Sequence, residues 1–356
     1  MCVVSIVMPI HNAAAFLAEA LDGVASQALH VGGRQVQLVA VDDASTDGSW
    51  DILQRWIESC GHCSIVVTPI KSQHASPRGV GWATNTAVAH STGTYICLMD
   101  ADDVSEPARV ALQLERIQAL EAEQPRGDAQ VLLGCNFVRI PDDSTARYTA
   151  WLNRLSDAEL MSQRFVECTI VKPSWFLRRE WFLELGGFDE GGRGVPEDMI
   201  FFYKHTDRGG RLAKVHTTCL RYRHHAGAAT ASVKELTIFE ERFKAFERQV
   251  LRRQWASSPS FTIWNAGKLG KRFFRALSRE DQLRVRAFCD VDDRKIAHGE
   301  YFNKESGMET PVPVIHFSQG TPPIVLCVKL DLTNGQFEQN LASLHLREGV
   351  DYLHFC

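Results

Sequence analysis

The chain has little of what marks a secreted or membrane protein. Across its 356 residues no apolar run approaches the ~20 residues needed to cross a bilayer. No Asn-x-Ser/Thr sequon occurs, which excludes N-glycosylation. The opening "MCVVSIVMPIHN" lacks a basic n-region and its apolar stretch stops at Pro9, so it does not read as a signal peptide. Strong charge of either sign is missing as well, with a formal net charge of −4. With 45% hydrophobic and 23% charged residues, the composition is that of an ordinary globular chain long enough for two domains. Its ten cysteines show no disulfide framework. Several lie in strand-like runs ("YICLM", "LLGCNF", "AFCDV", "IVLCV"), as small buried hydrophobes of a reducing compartment do. The expectation is a soluble cytoplasmic protein that could also enter the nucleus.

One pair, Cys60-Gly61-His62-Cys63, has thiol-oxidoreductase spacing. Such a motif follows a strand and opens a helix, whereas this one closes "SWDILQRWIES" and precedes a strand. Gly61 therefore reads as a helix stop flanked by incidental thiols.

The first hundred residues repeat a short β-branched strand, a turn and an amphipathic helix. Strands are expected at 3–8, 36–41, 64–68 and 94–99, and helices at 13–27, 47–59, 79–90 and from Glu106. Such alternation implies a parallel sheet, whose ligands bind beyond the carboxyl ends of the strands. Those ends read Pro9-Ile10-His11-Asn12, Asp42-Asp43 and Asp100-Ala101-Asp102-Asp103. Two carboxylates ~5 Å apart repel by about 3 kcal/mol at an effective dielectric near 20, so the last cluster calls for a cation. Mg²⁺ or Mn²⁺ held by one or two carboxylates and the phosphates of a nucleotide meets that need. Helix capping accounts for one aspartate, not three.

Four stretches in order now carry a resemblance: "SIVMPIHNAAAFLAEALDGVASQ", "LVAVDDASTDGS", "GVGWATN…GTYICLMDADD" and "GGFDE…PEDMIFFYKH". Over about residues 3 to 230 they resemble the family-two glycosyltransferases of the GT-A fold. The resemblance implies an α/β chain with a Rossmann-like, mostly parallel GT-A catalytic domain and inverting, metal-dependent transfer from a UDP-sugar. It places Asp100 and Asp102 on the donor ribose and the metal, Mn²⁺ or Mg²⁺. Asp42 and Asp43 fall on the uracil edge, and His11 with the backbone of Pro9 lies against the base. Asp198 matches the catalytic base, with Glu197 and Trp175 on the acceptor side. His225 matches a histidine near the metal or diphosphate, and the adjacent His224 is an equal alternative. Family members carry an Arg before the position of Asn85, where this chain has Thr84. Arg78 is then the candidate for the missing diphosphate contact.

The chemistry agrees. Inverting transfer needs a base opposite the leaving diphosphate to take the acceptor proton. An aspartate is already ionised at pH 7 and needs only to be positioned, as the first turn of a helix can do.

Beyond "WASSPS" a second βαβ pattern begins, giving boundaries of 1–233 for the GT-A domain, 234–258 for a helical linker and 259–356 for a smaller C-terminal Rossmann-like α/β domain. From Arg242 to Arg286 there are twelve Lys or Arg against three Asp or Glu, interleaved with seven aromatics that could stack bases. "FTIWNAGKLGKR", "AFCDVDDRKI", "VLCVKLDLT" and "EGVDYLHF" resemble the queuosine-tRNA galactosyltransferases, a group once described as β-1,3-N-acetylglucosaminyltransferase-like. That implies transfer of galactose from UDP-galactose onto queuosine at the wobble position of tyrosine tRNA, a base accessible without melting a helix. UDP-N-acetylglucosamine acting on a glycan or another cytosolic acceptor is the alternative. A non-enzymatic RNA-binding protein with a vestigial sugar-nucleotide site is the third reading. Asn265-Ala266-Gly267-Lys268-Leu269-Gly270 with Asp290 keeps two of the three glycines of a dinucleotide fingerprint, and reads as a Rossmann-like scaffold for tRNA docking or acceptor specificity rather than an NAD site.

Overall fold

The computed structural model describes residues 2–27, 35–59, 65–123, 130–225, 227, 232–302, 311–330 and 333–355. The Cys60-to-Cys63 motif lies outside them. The chain divides into two compact units, Met1–Asp157 with Ile170–Ile238, and Ala158–Thr169 with Phe239–Cys356.

The first unit opens with the expected alternation: β1 (Cys2–Ile10), α1 (Leu17–Gln27), β2 (Gln35–Asp42), α2 (Ser49–Ser59), β3 (Ile65–Lys71), α3 (Val80–Ala89) and β4 (Tyr95–Leu98). β5 (Val104–Ser105), α4 (Arg109–Ala122), β6 (Val131–Ile140), α5 (Ala146–Arg154) and α6 (Asp157–Ser162) follow. Then come β7 (Phe176–Arg178), α7 (Arg179–Glu184), α8 (Glu197–Asp207) and β8 (Arg211–Arg223). The sheet order is β3-β2-β1-β4-β7-β6-β8-β5. β3, β2, β1 and β4 run parallel, and β7 pairs antiparallel with β4. β2 is buried from Val36 to Asp42 at successive positions, on both faces of the sheet, which is why it reads as an unbroken apolar run.

α1 starts four residues later than its apolar pattern suggests. The backbone N–H groups of Ala13 and Ala14 are taken by Ser49 Oγ and Asp47 Oδ2, and Asn12 sits at φ 50°. The loop after β1 is thereby docked onto the loop after β2.

In the second unit, α9 (Glu235–Phe246) runs into a π-helix, Glu247–Gln254, where a continuous α-helix was expected. β9 (Phe261–Trp264), α10 (Lys268–Ala276), α11 (Arg279–Arg284), β10 (Val285–Asp290), α12 (Asp293–His298), β11 (Glu300–Tyr301), β12 (Val312–His316), β13 (Ile324–Leu326), α13 (Gln336–Ala342) and β14 (Tyr352–His354) complete it. The order β11-β12-β10-β9-β13-β14 is parallel apart from β11. The helical stretch expected to link two domains is instead part of this unit's core from Phe239 onward, with Phe246, Val250 and Trp255 buried. Phe165, from the distant 158–169 segment, stacks edge-on to Phe246 at 5.0 Å, a pairing no linear reading could reach.

All seven aromatics of the basic stretch are core residues: Phe243, Phe246, Trp255, Phe261, Trp264, Phe273 and Phe274 are each 9% exposed or less. That corrects the expectation of a base-stacking platform. Arg252 and Arg284 both pair with the buried Asp281, so part of the positive charge is neutralised internally. No helix of the described residues is long and apolar enough to cross a membrane.

Candidate active site

At the carboxyl ends of β1 and β2, two loops lock together. Asn12 Oδ1 accepts from Thr46 N at 2.8 Å, and Asn12 N donates to Ser45 Oγ at 3.0 Å. The exposed His11 donates from Nδ1 to the Asp43 carbonyl at 2.7 Å, since a carbonyl can only accept. Asp43, buried, accepts from the backbone N–H of Arg78 and Gly79, the latter at 2.7 Å, and so anchors the start of α3. Asp42 is the exception. Its Oδ1 accepts from Ser45 N, while Oδ2 is buried without a protein partner. A buried carboxylate oxygen left over in this way costs ~1–3 kcal/mol unless a ligand supplies the donor.

The acidic edge follows β4. One carboxylate oxygen each of Asp100, Asp102 and Asp103 lies within 4.8 Å of the others. Asp103 is fully buried, its Oδ1 accepting from Arg223 N at 2.8 Å and its Oδ2 without a protein partner. Burial, then the charges of Asp100 and Asp102, push its carboxyl well above the usual range. Asp102 Oδ2 lies 2.8 Å from His225 Nε2. Arg223 holds this corner: its Nε donates to the Asp102 carbonyl, its Nη2 pairs with Glu19, and its guanidinium lies over Phe16. The other side of the corner is the His225 ring, 4.9 Å from Phe16. Crowded carboxylates, an imidazole already in contact with one of them and a partnerless oxygen on Asp103 fit a divalent cation.

Glu197 and Asp198 open α8, whose depth is set by aromatic packing of Phe201 and Phe202 against Trp175. Burial pushes the Glu197 carboxyl up to about 7, Lys172 opposing and Asp198 and Asp100 adding to the rise. Asp198 Oδ1 accepts from Met199 N at 2.7 Å. Lys172 Nζ meets Asp100 Oδ1 at 2.7 Å. Burial alone would lower the Lys172 pKa, but the charges of Asp100, Glu197 and Asp198 hold it above the usual lysine range.

The structure thus gathers Asp100, Asp102, His225, Glu197 and Asp198 around one charge field, with Pro9, His11, Asp42 and Asp43 on adjoining strand ends. Trp175 is corrected: fully buried, its indole N–H on the Ile170 carbonyl, it supports α8 from below and cannot face an acceptor. Asn85 spends its amide on the Phe188 backbone and Glu190, pinning the glycine-rich loop. Arg78 lies over Trp82 and pairs with Glu190 at 3.5 Å. Lys172, Arg109 and Arg223 escaped the sequence reading because none belongs to a spaced motif.

The model of Glycosyl transferase family 2 matches residues 5–186, just over half of the chain. EpsE of Bacillus subtilis (strain 168) is 32% identical over 111 residues, 31% of this chain and 37% of its own. EpsJ of the same organism is 25% identical over 186 residues, 50% of this chain and 48% of its own. The chain therefore spans less than half the length of these relatives. S. aureus TarS 1-349 in complex with UDP-GlcNAc aligns with a TM-score of 0.51 at 15% identity, covering 83% of this chain and 86% of that one, which is a likeness of fold. The architecture is the GT-A-like α/β fold with a second sheet in the C-terminal region, and the chain belongs to glycosyl transferase family 2.

Proposed function

We propose that this chain transfers a sugar from a UDP-sugar donor to an acceptor hydroxyl with inversion, and depends on Mn²⁺ or Mg²⁺. The observation that carries the reading is the acidic edge, three carboxylates converging within 4.8 Å with His225 against one of them. Asp102, Asp103 and His225 would hold the cation, which supplies charge neutralisation for the departing diphosphate. Asp42, with its spare oxygen, would accept from the uracil N–H, and His11 would lie along the base. Asp198, held at the first turn of α8, takes the acceptor proton as the new bond forms. Glu197, more easily protonated than an ordinary glutamate, sits beside it on the acceptor side.

The finer reading is galactose moved from UDP-galactose onto queuosine at the wobble position of tyrosine tRNA. It is supported by the sequence resemblance of the C-terminal stretches. Eight of the twelve cations between Arg242 and Arg286 are exposed, as phosphate contacts require. Base stacking by that region is not part of the reading, because its aromatics are buried. The test is incubation with UDP-galactose or UDP-N-acetylglucosamine, Mn²⁺ and queuosine-containing tRNA, followed by mass spectrometry of the nucleosides. A hexose added to queuosine from UDP-galactose is expected. Unmodified queuosine alongside metal-dependent hydrolysis of either donor would keep the transferase and remove the tRNA.

A further inference from the structure

Lys172 pairs with the acidic edge and feels the charges of Glu197 and Asp198 at the start of α8, and its surroundings are built to hold it still. It opens the short 3-10 turn Lys172–Ser174. Fully buried Arg109 donates to the Pro173 carbonyl at 2.7 Å and to the Leu98 carbonyl at 2.8 Å. Gln113 Nε2 donates to the Ser174 carbonyl at 2.8 Å, and Leu98 N to the Trp175 carbonyl at 2.9 Å. One guanidinium therefore fixes both the turn and the end of β4, two residues ahead of Asp100. From that turn the ammonium, on a side chain 12% exposed, reaches Asp100 Oδ1 at 2.7 Å.

A pair this sheltered is weak evidence for stability, because desolvating two charges offsets most of their attraction. Its value lies in what it does to the neighbours. Asp100, Asp102, Asp103, Glu197 and Asp198 place five carboxyl groups in one field, and Lys172 is the cation that the field of Asp100, Glu197 and Asp198 acts upon.

We infer that Lys172 is a positioning residue that occupies Asp100, leaving Asp102, Asp103 and His225 to take the cation, and that ties the donor edge to the helix carrying Asp198. The inference rests on the metal-dependent transferase reading above. It has two consequences of opposite sign. Neutralising Lys172 removes a positive charge beside the cation site and frees Asp100 as a ligand, so metal binding tightens. The same change releases Asp100 from the ion pair that holds it at 2.7 Å, so the donor edge loses its fixed place and turnover falls. A lysine that served only the fold would weaken both together.

The experiment measures Mn²⁺ binding by paramagnetic resonance of the free ion in the absence of donor, and turnover with donor, for the unsubstituted chain, Lys172→Met, Lys172→Arg and the double variant Asp100→Asn with Lys172→Met. Lys172→Met is expected to bind Mn²⁺ about tenfold more tightly, the loss of one neighbouring charge. Its kcat should fall about a hundredfold or more, with the donor KM little changed. Lys172→Arg should keep the original Mn²⁺ affinity and recover part of kcat. The double variant removes both members of the ion pair and leaves no bare Asp100 carboxylate, so it folds even where the single one does not, and Mn²⁺ affinity should match the unsubstituted chain. Unchanged or weaker binding by Lys172→Met overturns the inference, as does a double variant that binds Mn²⁺ far more weakly, which would make Asp100 itself a ligand. No Mn²⁺ binding by the unsubstituted chain overturns the metal reading, and the inference with it.

Discussion

At the end of β2, Asp42 keeps a buried carboxylate oxygen without a protein partner, whereas at the end of β10, Asp290 has none to spare. Asp290 Oδ2 accepts from Ala266 N at 2.8 Å and pairs with Lys295 at 2.9 Å, and its Oδ1 accepts from Val291 N and Asp292 N. Both aspartates end a buried strand of a parallel sheet, the place where such folds take ligands. In the second unit the chain's own groups fill that place. Asn265, where a dinucleotide fingerprint has its first glycine, accepts from Gly267 N at 2.7 Å and donates to the Cys327 carbonyl at 2.6 Å. A site meant for a ligand leaves hydrogen-bonding capacity unused, and a scaffold uses it all.

The sharpest way to break this contrast is at Asp198, the proposed acceptor base. Asp198→Asn should cost about 10³-fold in transfer while UDP-sugar affinity stays near its original value, the mark of a group that acts on the acceptor proton. Initial rates and donor titration calorimetry check it, and a matching loss of donor affinity would move Asp198 out of that role. Asp102→Ala should next remove most metal-dependent donor binding, about 10- to 100-fold. Donor affinity measured with and without EDTA reads this directly. The counterpart in the second unit, Asp290→Asn, should leave transfer of a small-molecule acceptor unchanged and lower the thermal midpoint instead, by about 1–3 kcal/mol of lost stability. Loss of transfer by a folded Asp290 variant would end the contrast.

A pH dependence separates the edges more finely. The Glu197 carboxyl has its folded pKa raised to about 7 from an ordinary 4.5. Between those values the folded chain holds more protons than the unfolded one. The associated stability is fully present below about pH 4.5 and is lost as pH rises through about 7, at most ~3 kcal/mol. Thermal midpoints from pH 5 to 8 should therefore decline, and Glu197→Gln should flatten that decline.

Much of the first edge was legible in the sequence. β-branched runs ending in Asp42-Asp43 and in Asp100-Ala101-Asp102 announced both the strands and the place where they stop, because a parallel strand is apolar until it leaves the core. Asp198 was legible through its position at a helix start. Lys172 and Arg109 were not, since their meaning comes from contacts 72 and 64 residues apart, to Asp100 and to Pro173. Trp175 misled for a related reason: three residues after Lys172 and just past the 3-10 turn, it packs into the aromatic core of Phe188, Phe201 and Phe202. The basic stretch misled because aromatic residues at helical spacing signal a buried face as readily as a binding one. Only packing, Phe246 against Phe273 at 5.3 Å for instance, tells the two apart.

The smallest expected effect tests the filled edge at its tightest point. Asn265 holds φ at 114°, a conformation glycine adopts freely and asparagine does not. Asn265→Gly would relieve about 1 kcal/mol of backbone strain. It would also lose the two side-chain hydrogen bonds, each ~0.5–1.5 kcal/mol, and loosen the unfolded chain by a further ~0.5–1 kcal/mol. The losses exceed the gain, so a net destabilisation of about 1 kcal/mol is expected, read as a drop of a few degrees in the second unit's melting. Restoring the fingerprint's first glycine would still leave Asp290 bound to Lys295 and to three backbone N–H groups, so NADH should not quench the protein's tryptophan fluorescence. Saturable quenching by NADH in Asn265→Gly would show that a single side chain, rather than the whole filled edge, keeps a nucleotide out.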